Sequence, residues 1–197
     1  LLFIFSFTVL FAIYSQNDDK ILYRTITIDD INVGAERTEK YFPLLKGKRI
    51  AVCCNHTAMI ANVHLLDSLV NAGFDVKKVF APEHGFRGDE EAGKHIGNYI
   101  DERTAIPVIS IYGSNFKPKA SDMKDIDVLI FDIQDVGARF YTYISTMHYV
   151  MEACAENNVE FLVLDRPNPN GFYVDGPILD NEFKSFVGIH PVPIVHG

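Results

Sequence analysis

From Lys48 onward the chain alternates short apolar runs with longer amphipathic segments. "KRIAVCCN" (48–55) is a continuous apolar run flanked by charge and closed by Asn, the form of a strand buried on both faces. "ANVHLLDSLVNAG" (61–73) places Val63, Leu65, Leu66, Leu69 and Val70 at helical spacing and ends at Gly73, a residue suited to the position just past a helix. Further strands are expected at "VKKVFAP" (76–82), "IPVISIYG" (106–113), "DVLIFDI" (127–133) and "EFLVLDRP" (160–167). Between the third and fourth strands, "KASDMKDI" can supply a short helix. "YTYISTMHYVMEACAENN" (141–158) is the strongest helix, with Ile144, Met147, Met151, Cys154 and Ala155 on one stripe. Strands that alternate with helices imply parallel pairing through crossovers, hence an α/β layered sheet with helices on its faces.

The first residues break that rhythm. "LLFIFSFTVLFAIYSQNDDK" opens with an uncharged apolar run of about fourteen residues, short for a bilayer span, that gives way to small and polar residues. Residues 1–16 read as part of a secretory signal, with a membrane anchor or buried helix as the competing reading. There is neither an initiating Met nor a basic stretch before the run, so the numbering is expected to begin inside a precursor. Residues 17–45 mix charge with isolated apolar positions and read as an arm leading to the core.

Composition narrows the function classes. The chain has 197 residues, 48% of them apolar and 22% charged, with a net charge of −8, as in an ordinary globular domain. Its basic residues (Lys46, Lys48, Arg49, Lys77, Lys78, Lys117, Lys119) are scattered in pairs and form no phosphate-neutralising face, so no nucleic-acid partner is expected. Three cysteines cannot close a disulfide set; Cys53, Cys54 and Cys154 all fall in apolar patterns and read as small buried residues. An export signal without a disulfide framework suits a bacterial envelope protein, in the periplasm or outside the cell, with no stable membrane span once the signal is removed.

Ligands of open parallel sheets bind beyond the carboxyl ends of the strands, where the outgoing loops converge. Every expected strand ends in polar residues: Asn55-His56-Thr57, Glu83-His84-Gly85, Tyr112-Gly113, Asp132 to Arg139, and Asp165-Arg166-Pro167-Asn168. Glu83 follows Pro82 on a turn in which Gly85 and Gly88 permit positive φ. It reads either as an acid kept protonated by a crevice, able to donate to a leaving oxygen, or as a loop acid that caps a helix or pairs with Arg87. "FDIQDVGARFYTY" (131–143) gathers Asp132, Asp135, Arg139, Tyr141 and Tyr143, more chemistry than a helix cap needs. In "LDRPNPNG" (164–171), Asp165, Arg166 and Asn168 are equally at home in a structural ion pair and an Asn-Pro turn.

Several chemistries lack their motifs. The histidines have no His-Glu-x-x-His spacing, so zinc is rejected, with a loosely held cation between acidic loops left open. "NHTAMIAN" after the first strand is neither a dinucleotide fingerprint nor a P-loop, and no Gly-x-Ser-x-Gly elbow occurs.

Taken together, "NHTAMI", "APEHGFRGDEEAG", "PVISIYG", "DVLIFDIQDVGARFYTYISTM", "VLDRPNPNG" and "GPILDNEFKSFVGIHPVPIVHG" resemble the bacterial exo-β-N-acetylmuramidases, a family long catalogued as a domain of unknown function. The resemblance runs from about residue 40 to the end. It implies a Rossmann-like domain over 46–197, a parallel sheet with helices on both faces, followed in the family by a smaller second domain with the active site between the two. This chain stops at "PIVHG", so that second domain is expected to be missing, and a protein of this length to be inactive alone. The implied activity is release of N-acetylmuramic acid from the non-reducing ends of peptidoglycan fragments, with no cofactor and no metal.

Carried over residue by residue, Glu83 is the general acid and Asp132 or Asp135 the second carboxyl group. Asn55, His84, Arg87, Arg139, Tyr141, Tyr143, Asp165, Arg166 and Asn168 would bind the sugar, one arginine taking the lactyl carboxylate. Two carboxyl groups, or one acid with the sugar's own 2-acetamido group, both satisfy glycoside hydrolysis. A non-catalytic glycan-binding domain would keep the aromatics and arginines without Glu83. A nucleotide-dependent enzyme rests on fold analogy alone.

Overall fold

The computed structural model describes residues 9–13, 22–26, 31–83, 85–88 and 97–196, and divides into two compact units after Asn32. In the first unit, β1 (Val9–Ile13) pairs antiparallel with β2 (Leu22–Ile26). Among the described residues no helix is long and apolar enough to cross a membrane.

The second unit, from Val33, contains in chain order α1 (Thr38–Leu45), β3 (Arg49–Cys54), β4 (Met59–Ile60), β5 (Val63–His64), α2 (Leu65–Asn71) and β6 (Asp75–Ala81). β7 (Tyr99–Ile100), β8 (Pro107–Ser110), β9 (Val128–Asp132), α3 (Tyr143–Glu156) and β10 (Glu160–Val163) follow. Six strands form one sheet in the order β10-β9-β3-β6-β8-β7, parallel throughout except for the antiparallel edge strand β7. The chain starts in the middle at β3, steps outward through β6 and β8, then returns to β9 on the other side of β3. That reversal makes a topological switch point between β3 and β9, the place where an α/β sheet opens a crevice.

Strand alternation explains the two layers. Ile50, Val52 and Cys54 of β3 pack with Tyr41 and Leu45 of α1 and with Leu65, Leu66 and Leu69 of α2. Ala51 and Cys53 point the opposite way, to Val150, Ala153 and Cys154 of α3. Each buried Leu, Ile or Val contributes about 1.5–3 kcal/mol, so a central strand apolar on both sides anchors both layers. The adjacent cysteines therefore serve opposite layers, and all three thiols are free and buried.

Local structure departs from the expected elements in several places besides the unexpected strands β2 and β7. Residues 61–64 belong to the β4–β5 hairpin, and the helix begins only at Leu65, where the His64 ring accepts from Leu66 N at 3.2 Å. Histidine is not a usual cap, which hides this start in the sequence. "KASDMKDI" forms successive turns instead of a helix: Asp122 accepts from Lys119 N at 3.0 Å, and Asp125 takes a positive φ of 60° that ends any helical run. Within the stretch expected as an arm, Thr38–Leu45 is helical, with Tyr41 and Leu45 buried and the Tyr41 hydroxyl donating to Ala35 O at 2.8 Å.

Candidate active site

Parallel register brings the second and third strand ends together. Ala81 of β6 is paired with Ser110 of β8, so the residues two places further on, Glu83 and Tyr112, also meet. The Tyr112 hydroxyl donates to Glu83 Oε1 at 2.7 Å, and that bond pushes the phenol's pKa upward. Glu83 is half-buried on its turn. Gly88, at φ +77°, lies against the His56 ring, where a Cβ would come within 2.8 Å of it, so the turn is folded back onto the loop after β3.

Cys54 of β3 is likewise in register with Asp132 of β9, and the loops beyond them are bonded across the switch point. Thr57 Oγ1 accepts from Gln134 N at 3.0 Å and donates to Asn55 Oδ1 at 2.6 Å, while Thr57 N also donates to Asn55 Oδ1 at 3.0 Å. Asn55 is fully buried, and its Nδ2 has no hydrogen-bond partner among the described residues. Burial raises the Tyr143 phenol above its ordinary range, Asn55 opposes this, and the charges of Glu83 and Asp135 add to the rise.

Asp135 is held by Gly137 N, which donates to Oδ2 at 2.8 Å, and its Oδ1 is buried without a partner among the described residues. Asp135, Tyr143, Asp165 and Arg166 line a cleft of about 160 Å³ whose floor includes Phe131 and Ile133. Asp132 has another role. It is fully buried and clamped by Arg166, whose Nη2 donates to Oδ2 at 2.9 Å and to Met59 O at 3.0 Å while Nε holds Oδ1. Burial pushes the Asp132 carboxyl upward against the pull of the arginine. Of the two candidate aspartates, Asp132 is thus a buried strut and Asp135 the one at the cleft.

The remaining candidates separate in the same way. Arg87 is taken up by Asp101 (Nε to Oδ1 at 2.7 Å, Nη2 to Oδ2 at 2.8 Å) and by Asp67 at 3.0 Å. Arg139 donates through Nη1 to Val192 O at 2.6 Å and Pro177 O at 3.0 Å, and no carboxylate pairs with it among the described residues. Tyr141 is exposed, its ring 6.5 Å from that of Tyr143. Asn168 Oδ1 accepts from Asn170 N at 2.9 Å, and Gly137, at φ +71°, packs so closely on the Asn168 amide that any Cβ there would overlap it. Asp165 is exposed at the cleft edge, with its carbonyl accepting from Gly34 N at 2.7 Å. His84 lies outside the described residues. Among the described residues no cluster of three or more His, Cys, Asp or Glu side chains is arranged to hold a metal ion.

The family described as exo-beta-N-acetylmuramidase NamZ, N-terminal, matches residues 50–197. The chain belongs to this family. A curated relative, the peptidoglycan beta-N-acetylmuramidase NamZ of Bacillus subtilis (strain 168), is 50% identical over 162 residues, which is 80% of this chain and 39% of the relative. Crystal structures of two DUF1343 family proteins from Bacteroides fragilis NCTC 9343 share the fold, with TM-scores of 0.74 and 0.76 at 54% and 42% identity. Each covers 84% of this chain, and the chain spans 43% and 42% of theirs. It therefore spans less than half the length of the relatives it matches.

Four residues around these side chains escape a reading by residue type: Tyr112, Thr57, Gln134 and His196, the last with Nε2 at 3.6 Å from Asp135 Oδ2. Tyr112 and Thr57 are among the strand-end residues that position picks out, although residue type assigns them no role. Gln134, which also donates through Nε2 to Pro167 O at 2.8 Å, joins the β9 and β10 loops through a neutral side chain with no local signature.

Proposed function

We propose that this chain supplies the catalytic carboxyl groups of an exo-acting glycoside hydrolase that releases N-acetylmuramic acid from the non-reducing end of peptidoglycan fragments. The observation that carries the reading is that Asp135 and Tyr143 line one cleft while Tyr112 fixes Glu83 at the end of β6, in a chain of the NamZ family. Glu83 is the general acid that protonates the glycosidic oxygen, and Tyr112 fixes its Oε1. Asp135 supports the oxocarbenium-like centre, directly or by polarising the sugar's 2-acetamido group. Arg139, with no carboxylate partner among the described residues, is the arginine we assign to the lactyl carboxylate, since Arg87 and Arg166 are both committed to aspartates. The apolar first residues fit export, so the substrate is met in the bacterial envelope.

The test is turnover of a chromogenic β-N-acetylmuramide by the intact protein and its Glu83→Gln variant. The expected result is loss of at least about a hundredfold in kcat with the fold retained. Equal rates would remove Glu83 from the mechanism, and binding without turnover in both proteins would favour a glycan-binding domain.

A further inference from the structure

Asp135 is gripped from one side. Its Oδ2 accepts from Gly137 N at 2.8 Å, and on the same side the His196 imidazole places Nε2 at 3.6 Å. That nitrogen is buried and has no hydrogen-bond partner among the described residues, as is true of Asp135 Oδ1. The buried, unpaired imidazole nitrogen lies about half an ångström beyond hydrogen-bond distance of Oδ2, and it is a natural donor to that oxygen because a desolvated polar group left unpaired is costly.

The backbone brings them together. Arg139 N donates to Ile194 O at 2.8 Å, and His196 N donates to Gly137 O at 3.0 Å. Val195 forms bridges with Ala138 and Asp175. The Arg139 side chain adds its bond to Val192 O at 2.6 Å. His196 is therefore stitched to the loop that carries Asp135, and the two side chains keep their relation if that loop shifts.

We propose that His196 is a positioning residue for Asp135: its Nε2–H donates to Oδ2 when substrate enters, turning the carboxylate so that Oδ1 is presented to the sugar. This inference rests on the hydrolase reading, in which Asp135 is the second carboxyl group. Gly137 N and His196 Nε2 both address Oδ2, which leaves Oδ1 as the oxygen not committed to the protein. Hydrogen bonds of this kind are often long in empty sites and tighten in the substrate complex. No proton leaves the imidazole in this role, and it touches no reacting atom. Asp135 would then mirror Glu83, each carboxyl group having one oxygen held by a neighbour from another segment, His196 in one case and Tyr112 in the other.

In the intact protein, His196→Ala is expected to lower kcat about tenfold with KM changed by less than about twofold, and His196→Gln, which retains an N–H at similar reach, to recover part of the loss. Added to Asp135→Asn, His196→Ala should have no further effect. Wild-type kcat in His196→Ala, additive losses in the double variant, or a loss of thermal stability with kcat per folded molecule unchanged would each overturn the proposal. A readout free of turnover is the long-range proton–nitrogen NMR correlation of the His196 ring. The proton is expected on Nε2 in the wild type and redistributed in Asp135→Ala, and a ring indifferent to that change overturns the pairing. Should the wild type release no muramic acid, the hydrolase reading fails while the NMR correlation still decides whether His196 holds Asp135.

Discussion

The Tyr112 hydroxyl donates to Glu83 Oε1 at 2.7 Å, joining the loops that leave two neighbouring parallel strands. Removing only that hydroxyl in Tyr112→Phe frees the carboxyl to rotate while preserving the ring's edge-on contact with Phe116. The expected outcome is a fall in kcat of about tenfold and a stability cost near 1 kcal/mol, read by steady-state kinetics and urea unfolding.

The two aspartates of "FDIQD" should respond oppositely to loss of charge. Arg166→Met strands Asp132, a fully buried carboxyl, and is expected to destabilise the fold by about 3–5 kcal/mol. Asp135→Asn keeps the Gly137 contact and is expected to cost less than about 1 kcal/mol while suppressing turnover. Urea midpoints of the two variants, measured beside their activities, check this division of roles.

Acid sensitivity should arise at the Arg87 cluster. The hydrogen bond from Arg87 holds the Asp101 carboxyl down at about 2 in the folded protein. A carboxyl depressed on folding stabilises at pH values above its unfolded pKa, near about 4, and that contribution is lost as pH falls toward about 2. It amounts to about 2 kcal/mol. The stability gap between wild type and Asp101→Asn, followed by urea unfolding, should be full at neutral pH and shrink across that window.

Gly137→Ala places a side chain at φ +71° and on the Asn168 amide. The left-handed backbone costs about 1–2 kcal/mol before any overlap is relieved. Relief requires the 137 loop to move, and Asp135 with it. A lower thermal midpoint accompanied by loss of turnover is the expected outcome.

The thiols should be silent. Burial pushes Cys53 and Cys54 upward and Cys154 up to about 12, so none is a thiolate at neutral pH. A chromogenic thiol reagent is expected to find no reactive cysteine among these until denaturant is added.

The sequence by itself determined the layered α/β sheet, because strand and helix periodicity is local: "AVCC" is apolar on both sides wherever it sits, and the 141–158 stripe needs only its own turn geometry. It also placed Glu83 and Asp135 at strand ends, since residues just beyond a parallel strand share one rim. Only the tertiary structure decided what each charged group does there. Asp132 and Asp135 are alike on paper, yet one meets Arg166, 34 positions away, and the other faces the cleft. Arg87 is committed to Asp101, 14 positions on, and to Asp67, 20 positions back, although nothing in "GFRGDE" announces either partner. The stitching of His196 to Gly137 is likewise set by contact between distant segments. A side chain's role depends on which partner the fold delivers to it, and register between strands carries that information where residue type does not.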